Sequence, residues 1–296
     1  MKIRFWGTRG TIPTPLPDRM KYGGNTTCIE IRTDAGDIIL LDGGTGLYQA
    51  GLDLMKSLPV KCHVFITHTH WDHIQGLPLF VPFFVPGNEV QIAGAFDPVY
   101  QKTLQDILAG QMEYCYFPVR ESELKATIGY QDMKEGQAVM IGDAKVTPVL
   151  MNHPVLCFGY RIDADGQSMF FTGDHEPPPN IYDPGDDDYE EYQELLEMKN
   201  EMMYQSLQGL DVLITDATYT EEEYKMKVGW GHGTFQTCYD MAKSVQSKYV
   251  VFTHHEPTRN DQALDAIADE WQTQVQSGQP RVIFATEGLE IDLANI

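Results

Sequence analysis

The chain has 296 residues, 42% of them hydrophobic, and a formal net charge of −22 at pH 7. That length suffices for a substantial core, and so acidic a surface repels polyphosphate backbones, which disfavours long nucleic acid as a general partner. No apolar run reaches the roughly 20 residues of a membrane span. The opening MKIRFWGTRG enters a strand-like pattern without an apolar leader. Five cysteines, Cys28, Cys62, Cys115, Cys157 and Cys238, are scattered and never in CxxC spacing. The expectation is a reduced, cytoplasmic protein with neither a thiolate zinc site nor a disulfide framework.

Strand-like runs come early, at Lys2–Trp6, Thr27–Thr33, Asp37–Leu41 and Lys61–Thr67. Leu47, Leu52 and Met55 fall at helical spacing and predict a helix within Gly44–Ser57. Short strands fill the middle, at Val90–Ala93, Ala138–Ile141, Lys145–Met151, Phe158–Asp163 and Ser168–Thr172. The acidic run DPGDDDYEEYQELLE from Asp183 reads as a solvated loop leading into a helix. Beyond it, Asp188–Leu207, Phe235–Ser244 and Asp261–Gln274 read as helices, and Asp211–Thr215, Tyr249–Thr253 and Arg281–Ala285 as strands. Strands with flanking helices in both halves predict two packed sheets covered by helices. No Pro/Gly/Ser linker divides the halves, so residues 1–296 read as a single domain.

The stretch FITHTHWDHIQGLP gathers His68, His70, Asp72 and His73 into six residues. Side chains at i and i+2 of an extended segment point the same way, so His68 and His70 can reach one ion. Asp72 and His73 follow in the loop, on a different aspect, where they can serve a second. Imidazole nitrogen and carboxylate oxygen are both zinc donors. His153 in MNHPVLCFGY, Asp174 in FFTGDHEPP and His254 in VVFTHHEP each stand at the end of a predicted strand, where open sheets gather their sites. One of the neighbours His254 and His255 must face away in an extended segment, and alternation alone does not say which. His63 reads as a structural strand residue.

HTHWDH, His153, FTGD and FTHH, in that order, resemble the metal motifs of the metallo-β-lactamase fold superfamily. The resemblance implies an α/β architecture, an αββα sandwich of two mixed sheets flanked by helices. It implies two divalent ions, one held by His68, His70 and His153, the other by Asp72, His73 and His254, with Asp174 bridging. His254 rather than His255 occupies the family's position. Zinc suits this donor set, with manganese and iron as alternatives.

LITDATYTEEE, Leu213–Glu223, and GHGTFQTCYDMA, Gly231–Ala242, are similar to paired motifs of the ribonuclease Z-like branch. That branch holds tRNA 3′-processing endonucleases and cyclic-phosphate phosphodiesterases. Its chemistry implies that a hydroxide shared by the metals attacks phosphorus while Asp216 orients His232 toward the leaving group. Asp72, Asp216 and His232 are thus the candidate catalytic residues. FWGTRGTIPTP and YGGNTT resemble the branch's glycine-rich N-terminal loops, making Arg9 and Asn25 candidate substrate contacts. Asp42, in ILLDGGTG, would support the ligand loop from behind. His175 departs from the small hydroxyl residue usual after the bridging Asp and is a third candidate contact.

The tRNA-cutting members carry a protruding basic arm, whereas here the chain between Asp174 and Asp216 is acidic. Aromatic-rich segments at Leu77–Gly94 and Gln111–Val119 resemble the small-substrate phosphodiesterases, and their rings either stack on a base or pack as core. The expected activity is hydrolysis of a small cyclic phosphodiester, such as a cyclic nucleotide or a ribosyl cyclic phosphate. Carboxyl-ester, thioester or lactone hydrolysis and tRNA 3′ processing are the alternatives. Relatives in the branch are commonly dimers, so the resemblance admits a homodimer without fixing the oligomeric state.

Overall fold

The computed structural model describes residues 1–276 and 278–296. The chain first lays down β1 (Lys2–Gly7), β2 (Cys28–Arg32), β3 (Ile38–Leu41), β4 (Lys61–Ile66), β5 (Glu89–Ala95) and β6 (Thr127–Met133). A second sheet follows with β7 (Val139–Ile141), β8 (Ala144–Met151), β9 (Cys157–Ala164), β10 (Gln167–Phe171), β11 (Val212–Tyr219), β12 (Gly233–Thr234), β13 (Tyr249–Thr253) and β14 (Arg281–Phe284). The last strand, β15 (Glu290–Asp292), returns to the first sheet, whose order is β15-β1-β2-β3-β4-β5-β6. The second runs β14-β13-β11-β10-β9-β8-β7, with β12 beside β11. Both are mixed: β3 to β6 are parallel, as are β10, β11, β13 and β14, while the remaining main ladders are antiparallel.

Strand alternation decides which side chains fill the space between the sheets. Ile3, Phe5, Ile29, Ile31, Ile39, Leu41 and Phe65 from the first sheet meet Val146, Tyr160, Ile162, Met169, Phe171, Ile214 and Val251 from the second. Their immediate neighbours Leu40, Val64, Ile66, Leu213, Val250 and Phe252 point outward, yet are also buried. Both faces of each sheet are therefore covered. On one outside lie α1 (Gly46–Leu54) and α3 (Leu104–Gln111), contributing Leu47, Ala50, Leu54, Leu104 and Leu108. On the other, α6 (Phe235–Ser244) and α7 (Asp261–Gln274) contribute Met241, Ala242 and Trp271. The architecture is the expected αββα sandwich. Thr103, Thr234 and Asn260 start their helices by accepting a backbone N–H three residues on, which fixes where the preceding loops end. Among the described residues no helix is long and apolar enough to cross a membrane.

Several elements depart from the expectations from sequence. The expected loop carrying Asp72 and His73 is a helical turn, α2 (Trp71–Ile74), with His70 at its N-cap. Strand β11 does not stop at Thr215 but continues through Asp216 to Tyr219, because all eight of its residues are buried between neighbouring layers. β6 and α3 lacked a readable pattern: β6 is only half-buried, and two of the eight residues of α3 are Gly and Ala beside polar positions. Of the aromatic segments, Phe80 and Phe83 pack into the core under α1, whereas Tyr114 and Tyr116 are exposed.

Candidate metal centre

The loops that leave β4, β8, β10 and β13 converge at one edge of the sandwich. Thr67 ends the β4 run, and His68 and His70 follow before α2 turns Asp72 and His73 inward. The ligand atoms of His68, His70 and His153 all lie within 4.8 Å of one another, and so do those of Asp72, His73, Asp174 and His254. Asp174 stands between the two groups. Its Oδ2 is 3.6 Å from His68 Nε2 and 3.9 Å from His153 Nε2. Its Oδ1 is 3.3 Å from both His73 Nε2 and His254 Nε2. One carboxylate oxygen thus faces each group.

The residues fit a cation pair. His68 Nε2, His73 Nε2 and Asp174 Oδ1 are buried without any hydrogen-bond partner. Each such atom costs about 1–3 kcal/mol unless something accepts its lone pair. Burial, reinforced by the neighbouring imidazoles, holds His68 well below its ordinary pKa and also lowers His70 and His153, which keeps their lone pairs available. Burial pushes the Asp174 carboxyl up, but His254, His73 and His68 outweigh it and hold it well below the usual range. The same balance, with His73 and His254 opposing burial, keeps Asp72 charged. The clusters are His/Asp sites suited to divalent metal ions.

A surrounding layer aims the donors. Asp42 is fully buried; its Oδ2 lies 2.7 Å from His73 Nδ1, and its Oδ1 accepts the Thr67 N–H at 2.7 Å. That contact turns His73 Nε2 toward the cluster. His153 Nδ1 lies 2.9 Å from the Gly231 carbonyl, which presents Nε2 inward. His254 sits at φ 59°, a left-handed conformation held by Thr218, whose Oγ1 lies 3.0 Å from Nδ1 and donates to the His254 carbonyl at 2.9 Å. Gly10 leaves room for that ring: a Cβ there would lie 2.3 Å from His254 Cε1. The N–H of Thr11 donates to Asp72 Oδ2 at 2.7 Å, fixing its carboxylate as well.

Beside the clusters, His232 Nδ1 lies 2.8 Å from Asp216 Oδ2 and 3.7 Å from Asp174 Oδ2. Its ring stacks on His254, centroids 5.0 Å apart, and meets the edge of Tyr219. Burial pushes Asp216 up, but His232 and His254 draw it down to about 2, so it stays a carboxylate. Burial lowers His232, yet the charge and hydrogen bond of Asp216 raise it overall. Asp216 accepts the Nδ1 proton, leaving Nε2 as the atom free to exchange a proton with a ligand.

Several expectations about neighbouring residues fail. Arg9 is not placed as a substrate contact: it is fully buried, and its guanidinium donates to the carbonyls of Gly23, Glu256 and Arg259. Asn25 spends its side-chain and backbone N–H on Glu287 and likewise ties loops together. His175 is buried, its Nδ1 accepting the Asn152 N–H at 3.2 Å, so it props the His153 loop rather than facing solvent. His255 turns away from the clusters, its Nε2 donating to the Ala285 carbonyl at 2.8 Å beside Phe284. Of the two neighbours, His254 is the one whose ring faces the cluster. Two supports escaped the sequence reading. Glu176 accepts the N–H groups of Gly229 and Gly231 at 2.7 Å each and the Tyr224 hydroxyl at 2.6 Å, anchoring the loop that carries His232. Arg259 donates to the Thr218 carbonyl and pairs with Glu223. Neither residue carries a spacing signal; only the HEP tripeptide's carboxylate directly after Asp174 and His175 hinted at the first.

Residues 38–255 match a family described as the beta-lactamase superfamily domain. A ribonuclease Z from Haloarcula marismortui is 22% identical over 98% of this chain and 96% of its own. Among solved structures, the metallo-beta-lactamase fold protein YhfI from Bacillus subtilis superposes with a TM-score of 0.67 at 18% identity, covering 98% of both chains. A diphosphatase of the PhnP family superposes with a TM-score of 0.64 at 18% identity, over 98% of this chain and 97% of its own. The matched span contains the ligand-bearing ends of β4, β8, β10 and β13 together with the His232 loop. The chain belongs to the beta-lactamase superfamily, in its ribonuclease Z-like branch, and is a metal-dependent hydrolase.

Proposed function

We propose that this protein is a phosphodiesterase acting on a small, cyclic phosphodiester such as a cyclic nucleotide or ribosyl cyclic phosphate. The observation that carries the reading is the His232–Asp216 pair, set 2.8 Å apart at the margin of two His/Asp clusters. Thioester hydrolysis expels a thiolate that leaves without a proton, whereas a departing ribose alkoxide needs one. His68, His70 and His153 would hold one ion and Asp72, His73 and His254 the other, with Asp174 between. When bound, such a pair lowers the pKa of water to near neutrality and offsets charge on phosphoryl oxygens. Zinc is the ion proposed, on the imidazole-rich donor set.

The chain's own residues supply orientation and the proton. Asp216 holds the Nδ1 proton and its charge favours the imidazolium, whose second proton, on Nε2, goes to the leaving oxygen. Asp42, Thr218 and the Gly231 carbonyl hold three ligand rings in place before substrate arrives. The cytoplasm and a small-molecule partner are part of this proposal.

A second reading, cleavage of an RNA phosphodiester, draws on the name ribonuclease Z carried by the Haloarcula relative. The net charge of −22 and the acidic residues leading into α4 (Tyr189–Ser206) weigh against a polyanion. The test is turnover by metal-loaded protein on one panel: bis(p-nitrophenyl) phosphate, 2′,3′- and 3′,5′-cyclic nucleotides, a ribosyl cyclic phosphate, pre-tRNA, and carboxyl-ester and thioester substrates. Cyclic phosphodiester turnover that collapses in His232→Ala, with pre-tRNA uncut, supports the reading. Carboxyl-ester turnover indifferent to that substitution overturns it, and pre-tRNA cleavage favours the second reading.

A further inference from the structure

Behind His153 lies a cleft of about 470 Å³ that the metal clusters do not use. Its walls come from the loop after β5, with Phe96, Val99 and Tyr100, and from the β8–β9 turn, with Leu150, Pro154 and Leu156. Two residues make it continuous with the metal centre. His153 lines the cleft while its Nε2 lies 3.9 Å from Asp174 Oδ2. Thr69 lines it too, and stands between the ligands His68 and His70. A molecule whose reactive group reaches the clusters can therefore extend its remaining half into this space. The volume lies within the roughly 300–1,000 Å³ usual for small-molecule sites.

The chemistry of the walls narrows the occupant. No Lys or Arg lines the cleft, so a second phosphate would find no partner there. The single charged group, Asp97, accepts the N–H of Val99 at 2.8 Å and of Tyr100 at 3.3 Å, and repels anions. Apolar and aromatic walls with a carboxylate at the turn suit a neutral planar ring. A larger cleft, about 650 Å³, does hold Lys243, Lys248 and Arg281, but it lies at the N-terminal ends of β13 and β14, opposite the ligand-bearing ends.

We propose that this cleft is the subsite for the nucleobase of the substrate, so that a nucleoside cyclic phosphate is preferred over a ribosyl one. The proposal rests on the phosphodiesterase reading above. Adenosine 2′,3′-cyclic phosphate and methyl riboside 2′,3′-cyclic phosphate share the scissile bond and differ only in the base. Zinc-loaded protein should show a KM at least about tenfold lower for the adenosine compound, with similar kcat. Leu150→Trp fills the cleft from an exposed strand position that tolerates aromatic residues, and Tyr100→Ala removes a rim ring. Both variants should bring the two KM values together. A ratio near one in the unaltered protein, or a ratio indifferent to both variants, overturns the subsite while leaving the phosphodiesterase standing. If neither compound is hydrolysed, the phosphodiesterase reading fails, and saturation-transfer NMR with free adenosine decides the cleft separately. A signal abolished by Leu150→Trp sustains it, and no signal in the unaltered protein rejects it.

Discussion

Replacing Asp42 by Asn exchanges one oxygen for an NH₂ group and should disarm one candidate metal ligand. In the folded protein Oδ1 accepts from the Thr67 N–H at 2.7 Å and its hydroxyl at 3.0 Å, while Oδ2 faces His73 Nδ1 at 2.7 Å. An asparagine keeps the first two bonds with its oxygen and turns an NH₂ toward His73. Two donors cannot share that bond, so His73 must move its proton from Nδ1 to Nε2. Nε2 is the atom lying 3.3 Å from both Asp72 Oδ2 and Asp174 Oδ1, and a protonated nitrogen cannot bind a metal. Loss of such a supporting carboxylate typically weakens metal affinity 10–100-fold, about 1.4–2.7 kcal/mol. Zinc competition against a chromophoric chelator would read two sites in the unaltered protein and one selectively weakened site in Asp42→Asn. Two sites of unchanged affinity would refute the assigned tautomer, and with it the role of His73 as a ligand through Nε2.

Other consequences follow from neighbouring contacts. Gly231→Ala places a Cβ 2.3 Å from His153 Nδ1 at a φ of +88°, so His153 must shift and turnover should fall about a hundredfold, read by steady-state kinetics. Glu176→Ala strands three donors at the His232 loop and should cost about 3 kcal/mol in a denaturant titration, with kcat falling more than KM changes. Arg9→Lys loses a guanidinium shared among three carbonyls and should destabilise by about 2–4 kcal/mol while leaving KM unaltered; a raised KM would restore Arg9 as a substrate contact. His255 has its pKa lowered from 6.5 to about 3, chiefly by burial. The unfolded chain therefore takes up a proton below 6.5 that the folded protein refuses until about 3. Stability is undiminished above 6.5 and falls by about 1.4 kcal/mol per pH unit through that window. His255→Phe should flatten the slope of stability against pH by one proton.

The residues of the two His/Asp clusters were legible because metal binding demands particular side chains at strand ends. HTHWDH, FTGD and FTHH advertise that requirement in their composition, and the hydrophobic alternation around them placed the strands. What sequence could not give is which way a ring turns. Arg9, Asn25 and His175 sit in the right loops, but each spends its polar atoms on backbone or a neighbouring carboxylate. The choice between His254 and His255 depended on a left-handed backbone step at His254, which breaks simple strand alternation. Glu176 stayed hidden because its partners, Tyr224, Gly229 and Gly231, lie about fifty residues away and only the fold brings them together. α3 and β6 were missed for the opposite reason: lying at the sheet's edge, they are held by tertiary contacts rather than by a strong pattern of their own.

The central claim is that His232, oriented by Asp216, protonates the leaving oxygen of a phosphodiester. Its most direct test compares His232→Ala with the unaltered protein on two substrates of unequal leaving groups. A 2′,3′-cyclic nucleotide expels a ribose alkoxide that needs a proton, whereas bis(p-nitrophenyl) phosphate expels a phenolate that does not. The account predicts a loss of about 10²–10⁴ in kcat for the cyclic nucleotide and less than about tenfold for the aryl ester. Equal losses on both substrates, or none on either, would contradict it.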